Sequence, residues 1–441
     1  MSAHGGATRF PGLDGLRGMA CYMVIATHVG FQTARSFGSE PYAPWLARLD
    51  VSVPIFLMLS GFLLYRPFAA HALVDDPVTT TSTFLWRRAV RILPAYWLVT
   101  TLILGFVSTR QANGGDWASY LGFIQIYNHH EVEPALSQTW TLALELTFYL
   151  AMPIIAMVAR RPKGTLDQRF RRQVYVLGTL VVFASVWQVS AFNVPAIGYQ
   201  SLDWLPSDID WFAVGMFLGV LSCTPPECRA FPRLRATLSD WARQPVLCWV
   251  FALILYWFLT LPLAGPLDLE LSTGWEWMIR HDLETMIVFF LMLPLTLARG
   301  GVIGKVMGSR IGKYFGDISY GVYLWHLAML LLITRVLHVP LFQGHYIETF
   351  ALVAASATAI GTLSYYFFER PLLRRFSRPD FIARRDGSKT AASSNAVTSS
   401  STPAADSTWT SGEPATDDDS SPARVTASAT PPATISAPPS Q

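Results

Sequence analysis

Charged residues are scarce in this sequence: Asp, Glu, Lys and Arg together make up 14% of its 441 residues, against about a quarter in soluble domains. A chain so poor in charge cannot clothe a water-soluble surface, so much of its surface faces lipid. The net charge of +3 provides no basic field of the kind nucleic acid requires, and no nucleic-acid partner is expected. Cysteine is sparse as well. Cys21 and Cys248 lie in apolar runs, and Cys223 and Cys228 in or beside one loop. That spacing matches no zinc or redox signature and no disulfide framework, so no metal and no bound cofactor is called for. The cysteines read as small apolar fillers and free thiols. The N-terminal apolar stretch carries Arg17 and His28 and lacks a small-residue cleavage site, which argues against a cleavable signal peptide.

What the chain does have is apolar length, with 51% hydrophobic and 13% aromatic residues. About 20 apolar residues are needed to cross ~30 Å of hydrocarbon. Ten runs qualify, at 14–34, 51–69, 93–109, 139–159, 174–192, 209–223, 245–264, 283–299, 314–336 and 347–368. The expected fold is an all-α membrane protein, a bundle of about ten transmembrane helices. Alternate loops hold the arginine clusters, among them Arg87, Arg88 and Arg91, then Arg169, Arg171 and Arg172, then Arg229, Arg233 and Arg235. Basic loops stay cytoplasmic, which puts both termini on that side of a bacterial inner membrane. From about Gly387 the chain is rich in Ser, Thr, Ala and Pro, too little apolar surface to offset the entropy of ordering. Two regions are therefore expected: a polytopic membrane domain over 1–385 and a disordered cytoplasmic tail over 386–441.

Ionisable groups in hydrocarbon are costly, so each is a functional candidate. Arg17 and His28 are eleven residues apart, three helical turns plus ~20°, which puts them on one stripe ~16 Å apart. Asp14 lies near the same stripe. The fourth run passes the other way, and Glu145 falls ~8 Å below the interfacial Trp140. His326, in the ninth run, is again ~16 Å deep. Three titratable residues from three spans thus share roughly one level. Taken singly, Arg17 could snorkel to lipid phosphates and either histidine could be a satisfied packing residue. Arg88 and Arg91 are one helical turn apart on the basic side, and Arg suits bidentate phosphate recognition, although positive-inside anchoring alone explains most such clusters.

The phrases around these residues resemble the acyltransferase-3 family of bacterial integral-membrane O-acyltransferases, over nearly the whole chain up to the tail. They are GLDGLRGMACYMVIATH with Arg17 and His28, IFLMLSGFLL with Ser60 and Gly61, RRAVRILPAYW, Trp140-Thr141-Leu142-Ala143-Leu144-Glu145-Leu146-Thr147-Phe148-Tyr149, ISYGVYLWH ending at His326, and FFERP. Each phrase alone is loose; six in the family's order are specific. Many members have a second Glu where this chain has Leu146, and some carry a hydrolase-like domain after the bundle where this chain has its tail.

The resemblance implies transfer of an acyl group, acetyl foremost, from cytoplasmic acyl-CoA to a hydroxyl of a cell-envelope glycan or glycolipid. Arg17, Arg88 and Arg91 would then hold the CoA phosphates. His28 would act as general base, or as a transient acyl carrier, with Glu145 orienting or charging its imidazole. Asp14, Ser60, Tyr149 and His326 are secondary candidates. The competing class is a proton-coupled transporter or flippase of an envelope lipid or glycan, which buried Arg, Glu and His would also suit.

Overall fold

The structure, a computed structural model, describes residues 9–108, 111–128, 133–160, 164–267, 270–298 and 301–376. The tail expected over 386–441 lies outside the described residues. Among these the chain is helical throughout, without a strand. Ten helices occupy the ten apolar runs: α1 (Pro11–Gln32), α2 (Ser52–Val74), α3 (Thr81–Leu102), α4 (Trp140–Ala159), α5 (Leu166–Asn193), α6 (Leu205–Cys223), α7 (Pro245–Leu259), α8 (Gly274–Leu293), α9 (Arg310–Val336) and α10 (Tyr346–Leu363). Side chains set several of their starts. The Thr80 hydroxyl accepts from the Thr83 amide at α3, Thr165 and Gln168 form a capping box at α5, and Ser309 caps α9. Each satisfies backbone donors that the first helical turn leaves free.

Among the described residues, eight helical stretches are long and apolar enough to cross a membrane. The protein is a multi-pass membrane protein. The other two of the ten runs differ in instructive ways. α7 is only 15 residues long, and a bend of 93° separates it from the helix Pro232–Ala242, so the run read as a plain span at 245–264 ends early at Leu259. Counted with that partner it makes a ninth crossing. α1 has 22 residues, ~33 Å of helix, but Asp14, Arg17 and its glycines dilute its hydropathy. It is wrapped by other helices instead of lipid: Leu13, Leu16, Ala20, Ile25 and Val29 are buried. The third helix also begins at Thr81, well before the expected 93. Arg87, Arg88 and Arg91 therefore project from a helix, not from the loop before it.

Without a hydrophobic drive between helices in lipid, close packing across small residues holds a bundle together. α1 and α9 run side by side this way. A Cβ on Gly316 would meet the Asp14 carbonyl oxygen at 2.3 Å, and one on Gly18 would meet the Phe315 Cβ at 2.8 Å. α2 and α6 use the same device: a Cβ on Gly61 would lie 2.2 Å from the Phe212 oxygen, and one on Gly215 2.0 Å from the Met58 oxygen. In all four cases the obstacle includes backbone or a side-chain stem that cannot swing away.

Gly316→Val should therefore lower the melting temperature sharply in detergent, since overpacking costs about 1–3 kcal/mol and sometimes more. Gly178→Ala in α5, where an added Cβ meets nothing within 4 Å, should leave it unchanged or slightly raised. Equal melting curves for the two variants would show that the α1–α9 contact is not tight.

Candidate active site

The glycine contact between α1 and α9 fixes the register of the ionisable residues further along both helices. Gly18 lies against Phe315 and Gly316, and α1 and α9 run parallel. Ten residues onward on each helix stand His28 and His326. Their rings are neighbours, with centroids 5.3 Å apart and planes tilted by 37°. His326 is 1% exposed. Its Nδ1 lies 2.7 Å from the Tyr323 carbonyl oxygen; a carbonyl can only accept, so Nδ1 carries the proton. Nε2 is then a bare acceptor, and it is buried without a partner. Neither nitrogen of His28 is hydrogen-bonded to another described residue.

α1 passes two cavities. The first, about 330 Å³, is lined by Asp14 and Arg17 of α1, Ser60 of α2, Arg88 and Arg91 of α3, and Glu145 and Tyr149 of α4. Arg17 has one loose ion pair, with Asp14 at 3.9 Å. Arg88 stands over the Phe84 ring at 6.0 Å, and its Nε is buried without a partner. Arg88 and Arg91 form no ion pair among the described residues. Three guanidiniums thus converge against two carboxylates, Asp14 and Glu145, an excess of positive charge that suits a polyanion. The Ser60 hydroxyl donates a short hydrogen bond to Glu145 Oε1.

The second cavity, about 270 Å³, lies further along α1 and is lined by His28, Asp50, Asp208, Trp277, Arg280 and Glu284 among others. Val53 lines both cavities, so they adjoin there. Between them α4 and α9 are tied together: the Tyr323 hydroxyl donates to the Gln138 carbonyl at 2.6 Å and lies 2.6 Å from Thr141 Oγ1.

The profile of the acyltransferase-3 family, described as an acyltransferase domain, matches residues 10–368. The chain belongs to that family. Its relatives include YrhL of Bacillus subtilis, 24% identical over 85% of this chain and 57% of the relative. The peptidoglycan O-acetyltransferase OatA of Listeria monocytogenes is 22% identical over 82% of this chain and 55% of its own. The exopolysaccharide production protein ExoZ of Rhizobium meliloti is 26% identical over 73% of this chain and 89% of its own. The chain spans little more than half the length of the first two. No solved structure matches it.

In this acyltransferase-3 protein the residues picked out from sequence separate into two groups. Arg17, Arg88, Arg91, Asp14, Ser60, Glu145 and Tyr149 line the first cavity together, while His28 lines the second. Glu145, expected to orient or charge the His28 imidazole, makes no hydrogen bond to it among the described residues. Glu145 bonds Ser60 and faces the guanidiniums, and the ring next to His28 is His326. Depth along a helix axis does not fix which face a residue turns to its neighbours.

Sequence reading also missed Asp50, Asp208, Arg280, His281 and Glu284. The signal was present, because each is an ionisable residue at the end of an apolar run. Helices α6 and α8 begin at Leu205 and Gly274, ahead of the apolar runs at 209 and 283, so Asp208, Arg280 and His281 read as loop residues; Glu284 lies inside its run and Asp50 just before α2.

If the three guanidiniums form an anion site, inorganic pyrophosphate should raise the melting temperature of the parent by a few degrees. The rise should shrink in Arg88→Ala and vanish in the Arg88→Ala/Arg91→Ala double variant. An undiminished rise in the double variant would place anion binding elsewhere.

Proposed function

We propose that this protein is an O-acyltransferase that takes an acyl group, acetyl foremost, from acyl-CoA on the cytoplasmic side and delivers it to a hydroxyl of a cell-envelope glycan or glycolipid. The observation that carries the reading is the pair of adjoining cavities along α1, one with an excess of guanidiniums and the other lined by His28, whose ring neighbours that of His326. O-Acetyltransferase relatives that act on peptidoglycan support the reaction type, and an exopolysaccharide production protein supports a glycan acceptor. The O-acetyltransferase relatives favour group transfer over a flippase or transporter.

In this reading Arg17, Arg88 and Arg91 clasp the CoA phosphates through charge-assisted bonds. The pantetheine arm then follows α1 over the ~16 Å rise from Arg17 towards His28. Glu145, hydrogen-bonded to Ser60, sits in the donor cavity and holds its wall, and Tyr149 one turn away gives that wall a further polar group. A turn of the neighbouring His28 ring would let its N–H donate to the bare Nε2 of His326, which leaves the other His28 nitrogen free as base. His28 removes the acceptor hydroxyl proton while the oxygen bonds to the thioester carbonyl carbon. Collapse of the tetrahedral adduct breaks the C–S bond, and the proton passes from His28 to the departing CoA thiolate. The bilayer orientation in this reading follows the basic loops, with the donor cavity and both termini on the cytoplasmic side.

His28→Ala should cut turnover by roughly 10²–10⁴ while acetyl-CoA binding persists. Arg88→Ala and Arg91→Ala should raise the donor KM by about one to two powers of ten with a smaller effect on kcat, since each bond to a charged group is worth about 1.5–3 kcal/mol. Radiolabelled acetyl transfer by protein in nanodiscs reads both. Normal turnover in His28→Ala would sink the mechanism.

Orientation has its own test. With native cysteines removed, Arg233→Cys should react in intact cells only with membrane-permeant thiol reagents and Glu270→Cys with impermeant ones. The reverse pattern would put the arginine cavity on the wrong side for cytoplasmic CoA.

A further inference from the structure

His28 uses only one corner of the second cavity, and the rest has a chemistry of its own. Its walls carry four carboxylates, Asp50, Asp203, Asp208 and Glu284, against a single guanidinium, Arg280. Asp208 is 2% exposed, lines the cavity, and has no hydrogen-bond partner for its Oδ2. The Ser52 hydroxyl, fully buried on the same wall, is also without a partner. Buried acceptors left unsatisfied are costly and await a donor.

The surroundings are rigid. The His281 ring is sandwiched between Trp211, with centroids 4.2 Å apart, and Trp277, with centroids 4.8 Å apart. Asp210 holds His281 Nε2 at 2.8 Å, and Gln188 lies 3.1 Å from the same nitrogen. Arg280 is fixed in turn by Asp50 and by Glu284 at 3.1 Å. Trp140, Trp277 and Tyr199 add aromatic surface to the same space. This is a preformed pocket with apolar faces and a few fixed polar groups.

We propose that this cavity is the acceptor subsite, and that it takes a neutral sugar ring. Sugar hydroxyls and amide N–H groups are the donors that Asp208 Oδ2 lacks. The C–H face of the ring covers an aromatic plane at Trp277. An anionic acceptor is disfavoured, because the one guanidinium on these walls, Arg280, is already held by Asp50 and Glu284 and the other acidic side chains offer an anion nothing. At about 270 Å³ the cavity is ring-sized. Its charge is opposite in balance to that of the first cavity, so the polyanionic donor and the neutral acceptor are sorted to either side of Val53 and meet at His28. The assignment rests on the acyl-transfer reading for its role, though not for its ligand.

The test is binding without turnover. Protein in nanodiscs is titrated with the neutral disaccharide of N-acetylglucosamine and with its 6-phosphate, read by tryptophan fluorescence. Acetyl-CoA binding is measured on the same samples by calorimetry. The parent should bind the neutral disaccharide and bind the phosphate far more weakly. Asp208→Asn and Trp277→Ala should each weaken saccharide binding by about tenfold or more, the scale of one bond to a charged group, and Trp277→Phe should recover most of the loss. Acetyl-CoA binding should be the same throughout. A parent that binds no disaccharide, variants that bind it as the parent does, or a preference for the phosphate would each overturn the proposal. Variant-sensitive saccharide binding in a protein that binds no acetyl-CoA would keep the sugar site and remove the donor assignment.

Discussion

Helices α1 and α9 touch backbone to backbone because Gly18 and Gly316 carry no side chains, and the direction of each ionisable group on α1 follows from that contact. In lipid there is no hydrophobic force to press helices together, so the dispersion gained by close approach has to serve. Close approach leaves no freedom to slide or rotate. It therefore sets His28 against His326 and turns Arg17 towards Arg88 and Arg91. The same approach of α2 on α6 through Gly61 and Gly215 fixes one wall of both cavities.

A second constraint is electrostatic. Inside a membrane a charge must find a partner or line a polar cavity. Here the two solutions are divided along the bundle. Arg280 is ion-paired with both Asp50 and Glu284 at one end, while Arg88 and Arg91 at the other are left without ion pairs among the described residues. Paired charges build a rigid wall; unpaired charges await a ligand. That contrast is why the arginine cavity suits a polyanion.

Family membership and geometry bear on different levels of the argument. Membership settles that this is an acyltransferase-family membrane protein. The relatives differ in what their names say they modify or produce, so the acceptor has to be argued from this chain's own cavity. The acidic, aromatic composition of that cavity is a property of residues drawn from α1, α2, α4, α6 and α8, which no single stretch of sequence displays.

The sequence alone determined what hydrocarbon length, composition and motif order can encode. The ten apolar runs, the alternation of arginine-rich loops, and the membership implied by six ordered phrases were all readable, because each is a local property of consecutive residues. Arg17 and His28 were readable as one stripe of one helix for the same reason. The tertiary structure decided everything that depends on how helices face each other. It turned Glu145 to Ser60 and the arginines and away from His28, and gave His28 a histidine neighbour from a helix nearly three hundred residues away. It also bent the Pro232–Ala242 and Pro245–Leu259 pair by 93° and drew Asp208, Arg280 and Trp277 into one pocket. Helical period fixes a face only relative to its own helix. Which neighbour that face meets is set by the interlocking of small residues across the bundle, and that is a property of pairs of helices.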